Sequence, residues 1–328
     1  MVPFIHPRFE LFGVTLDWWL ILVVLGVAAA TELGRARAIR EGLSVKLTVD
    51  GILFVVGMGF LFGHFVYQIF YNWENLSAQP KLILPWYGGY ASTGGFLGAG
   101  IGIWLFYVVW KKAPLWAYMD NMAIALCLGW VFGRLGCFAA HDHKGNLTDF
   151  PLAITFPDNW TATVNGQAGT WLGTRHDLGL YEALLALALL IMLLVLDRKT
   201  QWSHGMLAGL LLVCYAPVRF SMEFMRATDL ANSDPRHLGL TPAQYGTFIT
   251  LSLGTWMLLS RRGEGQMDLS VELARDYQDG KVPPPAAPAQ TSPPPAGEAP
   301  GQQLEAEPPA PEENANNPED KAAGSDDP

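Results

Sequence analysis

The chain has 328 residues, half of them hydrophobic and only 16% charged, with a formal net charge of −9. A soluble domain carries roughly a quarter charged residues, so the composition argues against one. The acidity is also local: after Gly263 there are fourteen acidic residues against Arg275, Lys281 and Lys321, which leaves a slightly basic body with no strong basic patch for nucleic acid.

Residues 1–10 lack the basic, apolar and small-residue succession of a cleaved leader, so the first apolar run reads as a permanent anchor. Apolar runs predict helices over residues 14–32, 51–71, 92–110, 121–140, 177–196, 204–222 and 243–260. Each is close to the ~20 residues that cross a ~30 Å hydrocarbon layer. The expected fold is all-α: a polytopic membrane bundle of about seven transmembrane helices spanning residues 1–263. Basic residues follow the first, third, fifth and seventh runs: Arg35, Arg37, Arg40 and Lys46, then Lys111 and Lys112, then Arg198 and Lys199, then Arg261 and Arg262. The positive-inside rule puts that side in the cytoplasm, the N-terminus outside and the C-terminus inside.

The loop after the second run holds Phe70, Tyr71, Trp73, Trp86, Tyr87 and Tyr90, either an interfacial aromatic belt or a rim guiding a ligand. The third run is rich in glycine (Gly94, Gly95, Gly98, Gly100, Gly102), which suits close helix packing in lipid or close approach of a ligand. Cys127, Cys137 and Cys214 all lie in apolar runs and show no disulfide framework or structural zinc spacing; neither a metal nor a cofactor is expected. His64 reads as a satisfied core histidine. Residues 264–328, dominated by Pro, Ala, Glu, Asp and Gly, cannot bury enough apolar surface to offset chain entropy, and a disordered acidic cytoplasmic tail is expected there.

Charge inside a bilayer costs ~2.5–3.5 kcal/mol at mid-span on insertion scales. Arg134 incurs that cost in the fourth run and Arg219 in the sixth. Tyr215, Arg219, Glu223 and Arg226 stand at helical spacing, so they share one face. Both runs cross in the same direction, which brings Arg134 and Arg219 to similar depth in the outer half. Two planar guanidinium forks at one level suit a phosphate. The alternative is internal pairing: Arg219 with Glu223, or Arg134 with Glu182 or Asp142. Asp177 suits a helix cap. Tyr181 and Glu182 are open between a polar network and no special role. His141 and His143 are either solvated loop residues or ligands of a metal.

These stretches resemble the prolipoprotein diacylglyceryl transferase family over about residues 10–260. Gly88 to Gly98 resembles the family's glycine-rich segment, with Thr93 at the position of its histidine, followed by Gly94 and Gly95. Gly133 to Gly145 keeps the length and frame of the signature Gly-Arg-x-Gly-Asn-Phe-x-Asn-x-Glu-x-x-Gly, with Cys137 and Ala140 for the asparagines and Asp142 for the glutamate. Arg175 to Glu182 resembles Arg-His-Pro-Ser-Gln-Leu-Tyr-Glu, and Tyr215 to Arg226 matches Tyr-x-x-x-Arg-x-x-x-Glu-x-x-Arg. Leu238 to Gln244 resembles the start of the family's last span. The resemblance implies transfer of diacylglyceryl from phosphatidylglycerol to the lipobox cysteine of a prolipoprotein signal peptide, in a bacterial cytoplasmic membrane. Arg134 and Arg219 would hold phosphate and stabilise the reacting centre, supported by Tyr215, Glu223, Arg226, Asp142, Gly145 and the Thr93–Gly95 turn. His141 or His143 would supply the imidazole that Thr93 does not. The alternative is a membrane protein that binds lipid or lipoprotein without transfer, or with altered specificity.

Overall fold

The structure, a computed structural model, describes residues 1–264 except 86, 161, 165–166, 170–171, 200–201, 231–232 and 234–235. Trp86 and the expected tail after residue 264 lie outside the described residues.

A hairpin, β1 (Arg8–Leu11) and β2 (Val14–Asp17), leads into helix α1 (Trp18–Glu41). The predicted first run therefore begins as a strand. Asp17 starts the helix, its carboxylate accepting the Trp19 N–H at 2.8 Å, and Gly42 ends it in the left-handed region at φ 72°. Helix α2 (Val45–Val66) starts six residues before the predicted run, because Ser44 caps it by accepting the Leu47 N–H. It ends in a π turn, Tyr67–Tyr71, followed by the short helix α3 (Trp73–Ala78) and a 3₁₀ turn, Pro80–Ile83. Helix α4 (Ser92–Ile103) continues as a π segment to Trp110.

Helix α5 (Leu115–Ala140) begins before its predicted run because polar Asp120 and Asn121 sit buried in its first turns. Both have partners. Asp120 accepts the Gly205 and Ala208 N–H groups at 2.7 and 2.8 Å, capping another helix from a distance, and Asn121 donates to the Gly34 carbonyl at 3.2 Å. Beyond α5 come β3 (Lys144–Leu147), β4 (Ile154–Thr155), β5 (Ala162–Val164), β6 (Gln167–Gly169) and β7 (Thr174–Asp177). They form an antiparallel sheet in the order β3-β7-β4 and a separate β5–β6 hairpin. Helix α6 (Leu178–Lys199), helix α7 (Met206–Met222) with a 3₁₀ turn to Met225, and helix α8 (Pro242–Arg261) complete the bundle. Thr241 and Gln244 close a reciprocal capping box at the start of α8.

Six helical segments among the described residues are long and apolar enough to cross a membrane: Trp18–Glu41, Val45–Tyr71, Ser92–Trp110, Leu115–Ala140, Leu178–Lys199 and Met206–Met225. The chain is thus a mostly helical, polytopic membrane protein. The seventh predicted run is helical, as α8, but Gln244, Thr247, Thr250, Ser252, Thr255 and Ser260 make it less apolar than the six. Its exposed face nonetheless carries Phe248, Ile249, Leu253, Trp256 and Leu259, as a lipid-facing helix would.

Helix α1 runs antiparallel along α5, where a Cβ on Gly26 would come within 2.8 Å of the Phe132 Cβ. Helices α2 and α4 approach as closely: a Cβ on Gly94 would meet the Phe62 carbonyl oxygen at 2.5 Å. Small residues allow this contact where lipid supplies no hydrophobic drive between helices. The N-terminal segment packs at the far end of α5, with the Phe4 ring stacked on His141 at 4.6 Å and the Val2 N–H bonded to the Ala153 carbonyl. The sheet, the end of α5 and the start of α6 therefore share one end of the bundle.

Candidate functional site

Helices α5, α6 and α7 each place one charged residue at the sheet end of the bundle, and those three meet. Glu182, one turn into α6 and 2% exposed, lies between two arginines. Its Oε2 faces Arg134 Nε at 2.5 Å, and its Oε1 faces Arg219 Nε at 2.7 Å. Tyr215, one turn before Arg219, donates its hydroxyl to the same Oε1 at 3.2 Å. Glu223, fully buried, then bonds Arg219 Nη1 and stands 3.7 Å from Arg226 Nε. Three guanidiniums and two carboxylates make this a core with surplus positive charge, held where the dielectric is low and each interaction is strong.

The expected meeting of Arg134 and Arg219 is present, and so is the internal pairing posed as its alternative. Glu182, left open in the sequence, is the bridge that makes both true. Tyr215 and Arg219 lie on α7 as their spacing implied, but the helix ends at Met222, so Glu223 sits in the 3₁₀ turn and Arg226, extended beyond it, stands 3.7 Å from Glu223 without continuing the helical face.

Arg134 has further neighbours. Its guanidinium lies over the Trp130 ring, 4.4 Å from the centroid, and Nη1 is 3.0 Å from His143 Nε2. The other His143 nitrogen bonds Asp142 Oδ1 at 2.5 Å. The Phe96 ring, one turn after Thr93, contacts Trp130 at 5.2 Å and joins α4 to this wall. Among the described residues no contact brings Thr93, Gly94 or Gly95 to either arginine, and Gly94 is occupied in packing against α2.

The two candidate histidines diverge. His141 takes a left-handed conformation, φ 52°, as the C-cap of α5. That turn sends its ring into the core, fully buried, where Nε2 is 2.9 Å from the Ile5 carbonyl and Nδ1 is 3.4 Å from Asp177. Both nitrogens are engaged away from the arginines, which corrects the expectation of a catalytic role for His141. His143, two residues on, returns to Arg134.

A second cation organises the sheet. Arg175, 1% exposed, donates to the Leu172 and Gly145 carbonyls at 2.8 and 3.2 Å and grips Asp229 with both terminal nitrogens. The bond from Arg175 holds the Asp229 carboxyl below its usual range. Gly145 pairs with Arg226 in an isolated antiparallel bridge, and a Cβ there would come within 2.6 Å of the His176 Cβ and 2.7 Å of the Met225 carbonyl oxygen. Gly145 thus joins the strand after α5 to the residues after α7. His176 shares a 2.8 Å hydrogen bond with the Tyr181 hydroxyl, and burial lowers its pKa. Asp177 caps α6 as expected, accepting the Leu180 N–H at 3.0 Å. His64 is buried, with its two ring nitrogens 3.2 and 3.1 Å from the Gly89 and Leu82 carbonyls, one of which takes its N–H in the neutral ring.

Asp229 and Trp130 drew no attention in the sequence. Asp229 lies in a polar loop with no periodic partner, and Trp130 looks like one more apolar residue in an apolar run.

Comparison with known proteins gives a consistent result. The family model described as prolipoprotein diacylglyceryl transferase matches residues 7–260. A phosphatidylglycerol–prolipoprotein diacylglyceryl transferase of Solidesulfovibrio magneticus is 32% identical over 271 residues, covering 80% of this chain and 98% of its own length. The one of Chromohalobacter salexigens is 35% identical over 214 residues, 65% of this chain and 75% of the relative. That of Neisseria meningitidis serogroup C is 33% identical over 274 residues, 77% and 92% respectively.

Proposed function

The chain belongs to the prolipoprotein diacylglyceryl transferase family, and from that premise we propose that it moves the diacylglyceryl group of phosphatidylglycerol onto the lipobox cysteine of a prolipoprotein signal peptide. The observation that carries the reading is the Arg134–Glu182–Arg219 bridge: two guanidiniums from separate helices, fixed at one level by one buried carboxylate. Each guanidinium has five N–H donors, more than its glutamate partners take. A phosphodiester set between them accepts the remainder, and the pair stabilises the charge that grows as glycerol phosphate leaves. Preorganised donors of this kind are worth roughly 100- to 1,000-fold in rate each. Glu182, Glu223 and Tyr215 hold the guanidiniums in place, while Arg226, Gly145 and Asp142 line the approach from the sheet.

The acceptor thiol must also lose its proton, since the thiolate is the nucleophile. His143 is the imidazole at this level. The phosphate enters from the outer leaflet of a bacterial inner membrane, with the N-terminus outside and the basic helix ends in the cytoplasm.

The test is a reconstituted assay with phosphatidylglycerol vesicles and a lipobox peptide. The expected result is a peptide thioether with release of glycerol phosphate. Absence of both, while a relative such as the Neisseria meningitidis enzyme turns over alongside, overturns the proposal. A second reading, binding without transfer, draws on one observation: both arginines already have carboxylate partners. It predicts phosphatidylglycerol binding that Arg134→Ala weakens, with no glycerol phosphate released.

A further inference from the structure

His143 stands beside the arginine pair with both ring nitrogens engaged, and its two partners fix its chemistry. Nε2 lies 3.0 Å from Arg134 Nη1, and Nδ1 lies 2.5 Å from Asp142 Oδ1. A guanidinium has N–H donors and no acceptor, and it keeps its proton in a protein. Arg134 therefore donates, and Nε2 accepts with its lone pair. An ionised carboxylate only accepts, so Nδ1 carries the ring's proton and donates it to Asp142. His143 is thereby a neutral imidazole of one defined tautomer. Its basic nitrogen faces the arginines, and its lone pair is covered by one of them.

The cover is removable. The Arg134 guanidinium is anchored at Nε by Glu182, and its plane lies on the Trp130 ring. The Nη1 end is held less firmly, by an uncharged imidazole and by Cys137 Sγ at 4.0 Å. A phosphate oxygen is a stronger acceptor than either, because its charge adds to that of the guanidinium and the fork can give it two bonds. A phosphodiester at the arginine pair thus draws Nη1 from Nε2. It also offsets the positive charge that otherwise opposes a second cation 3.0 Å away. The His143 and Asp142 side chains are 16% and 46% exposed, so an incoming thiol can reach the uncovered nitrogen.

We propose that Arg134 masks the basic nitrogen of His143 until a lipid phosphate draws the guanidinium away, and that Asp142 is the positioning residue that keeps that nitrogen the basic one. The inference rests on the transferase reading and names what controls its base. With phosphate bound, Nε2 takes the proton of the acceptor thiol. The sulfur lone pair attacks the glyceryl CH₂ carbon of phosphatidylglycerol. The new C–S bond forms as the bond from that carbon to the phosphate oxygen breaks. The electron pair leaves on that oxygen, His143 returns the proton to it, and glycerol phosphate departs. Arg134 then covers Nε2 again.

The experiment reads the uncovered nitrogen directly. The full chain in detergent is treated with diethyl pyrocarbonate, which acylates an unprotonated ring nitrogen whose lone pair is free, and each histidine is followed by mass spectrometry. Without lipid, His143 should react slowly. Short-chain phosphatidylglycerol should raise its rate about tenfold, the scale of one hydrogen bond to a charged group. Diacylglycerol with the same chains, which lacks the phosphate, should not. Glycerol phosphate alone should act as the lipid does, which separates unmasking from any effect of the acyl chains. His176, bonded to Tyr181 away from the arginines, is the internal reference. R134M should react fast without lipid and gain nothing from it. A His143 rate that phosphatidylglycerol and glycerol phosphate leave unchanged, or a slow rate in R134M with the His176 reference unaltered, overturns the mask.

In the transfer assay, H143Q should lower kcat about 100-fold, as loss of a general base does. D142N should lower kcat about tenfold with the KM for phosphatidylglycerol unchanged, and D142E, which restores a carboxylate, should recover most of it. Wild-type kcat in D142N, or an equal loss in D142E, overturns the positioning role. Transfer by a protein whose His143 is indifferent to phosphate overturns the mask and leaves the transferase reading intact. An unmasked His143 without transfer by the wild-type chain instead sinks the transferase reading, and the base's role with it.

Discussion

Charge is buried at both ends of this bundle, and the two ends use it differently. At the end away from the sheet, Asp197 is 4% exposed and pairs with Arg37, 6% exposed, at 2.7 Å, and also with Arg40. Asp120, in the same half of the helices, spends both oxygens on the N–H groups that start α7. Each charge there is answered by a fixed structural partner. At the sheet end, Arg134, Arg219 and Arg226 outnumber Glu182 and Glu223, and an accessible turn with Cys137, Asp142 and His143 adjoins them. Burial of charge alone therefore does not mark the working site. The proposed site differs in having beside it groups that an outside molecule can reach.

The sharpest way to break that contrast is to remove cations from the sheet end. Arg134→Ala or Arg219→Ala should lower transfer about 100- to 1,000-fold in the reconstituted assay. Arg134→Lys should recover little, because a point charge cannot reproduce the fork and its stacking on Trp130. If Arg134→Ala retains wild-type turnover, the two ends are equivalent and the proposed site is wrong. Next is Glu182→Gln, which takes the Glu182 carboxylate from buried Arg134 and leaves Arg219 with Glu223. Breaking a buried pair from one side typically costs about 3–5 kcal/mol, and thermal unfolding in detergent should show a matching drop together with lost transfer.

The reciprocal test is at the other end. Replacing Arg37 by Met and Asp197 by Leu together removes a buried pair and substitutes apolar volume. Such exchanges are often neutral or stabilising by about 1–4 kcal/mol. Unfolding temperature should hold or rise and transfer should stay at wild-type level. A large loss of transfer with the fold intact would mean that this end, too, takes part in the reaction.

Much of this organisation was legible from residue spacing. Apolar runs located the seven long helices of the described residues, because a run of this length and composition is what a bilayer-crossing helix requires. Helix starts depart from the apolar runs where polar caps and buried polar residues interrupt the pattern, as at Ser44 before α2 and Asp120 in α5. The strands of two to four residues are too short to carry a period. The arginine face on α7 was readable from helical spacing, but the choice among Glu182, Asp142 and Glu223 as partner depends on how α5, α6 and α7 cross. His141 and His143 could not be separated: a single positive φ at His141 decides which ring enters the core.

Gly145→Ala tests how tightly the sheet must be tied to the end of α7. Its Cβ would meet the Met225 backbone oxygen at 2.7 Å, so backbone has to shift. Overpacking of this kind costs about 1–3 kcal/mol. A lowered unfolding temperature and reduced transfer are expected, because Arg226 is bridged to Gly145. Unchanged transfer with lowered stability would confine Gly145 to the scaffold.

The smallest expected effect concerns acid. Arg175 holds the Asp229 carboxyl below its ordinary value by a two-pronged bond. A depressed folded-state pKa contributes stability that is fully present above the unfolded value of about 3.9 and is lost as pH falls through the folded value. Unfolding temperature measured between about pH 6 and pH 3 should therefore decline, and Asp229→Asn should flatten that decline at a lower starting stability. Asp229 is partly exposed, so solvent screens the pair and the shift should be modest. An Asp229→Asn profile parallel to wild type would show that Arg175 is held by the Leu172 and Gly145 carbonyls alone, and the sheet end would then owe its shape to backbone contacts and not to this ion pair.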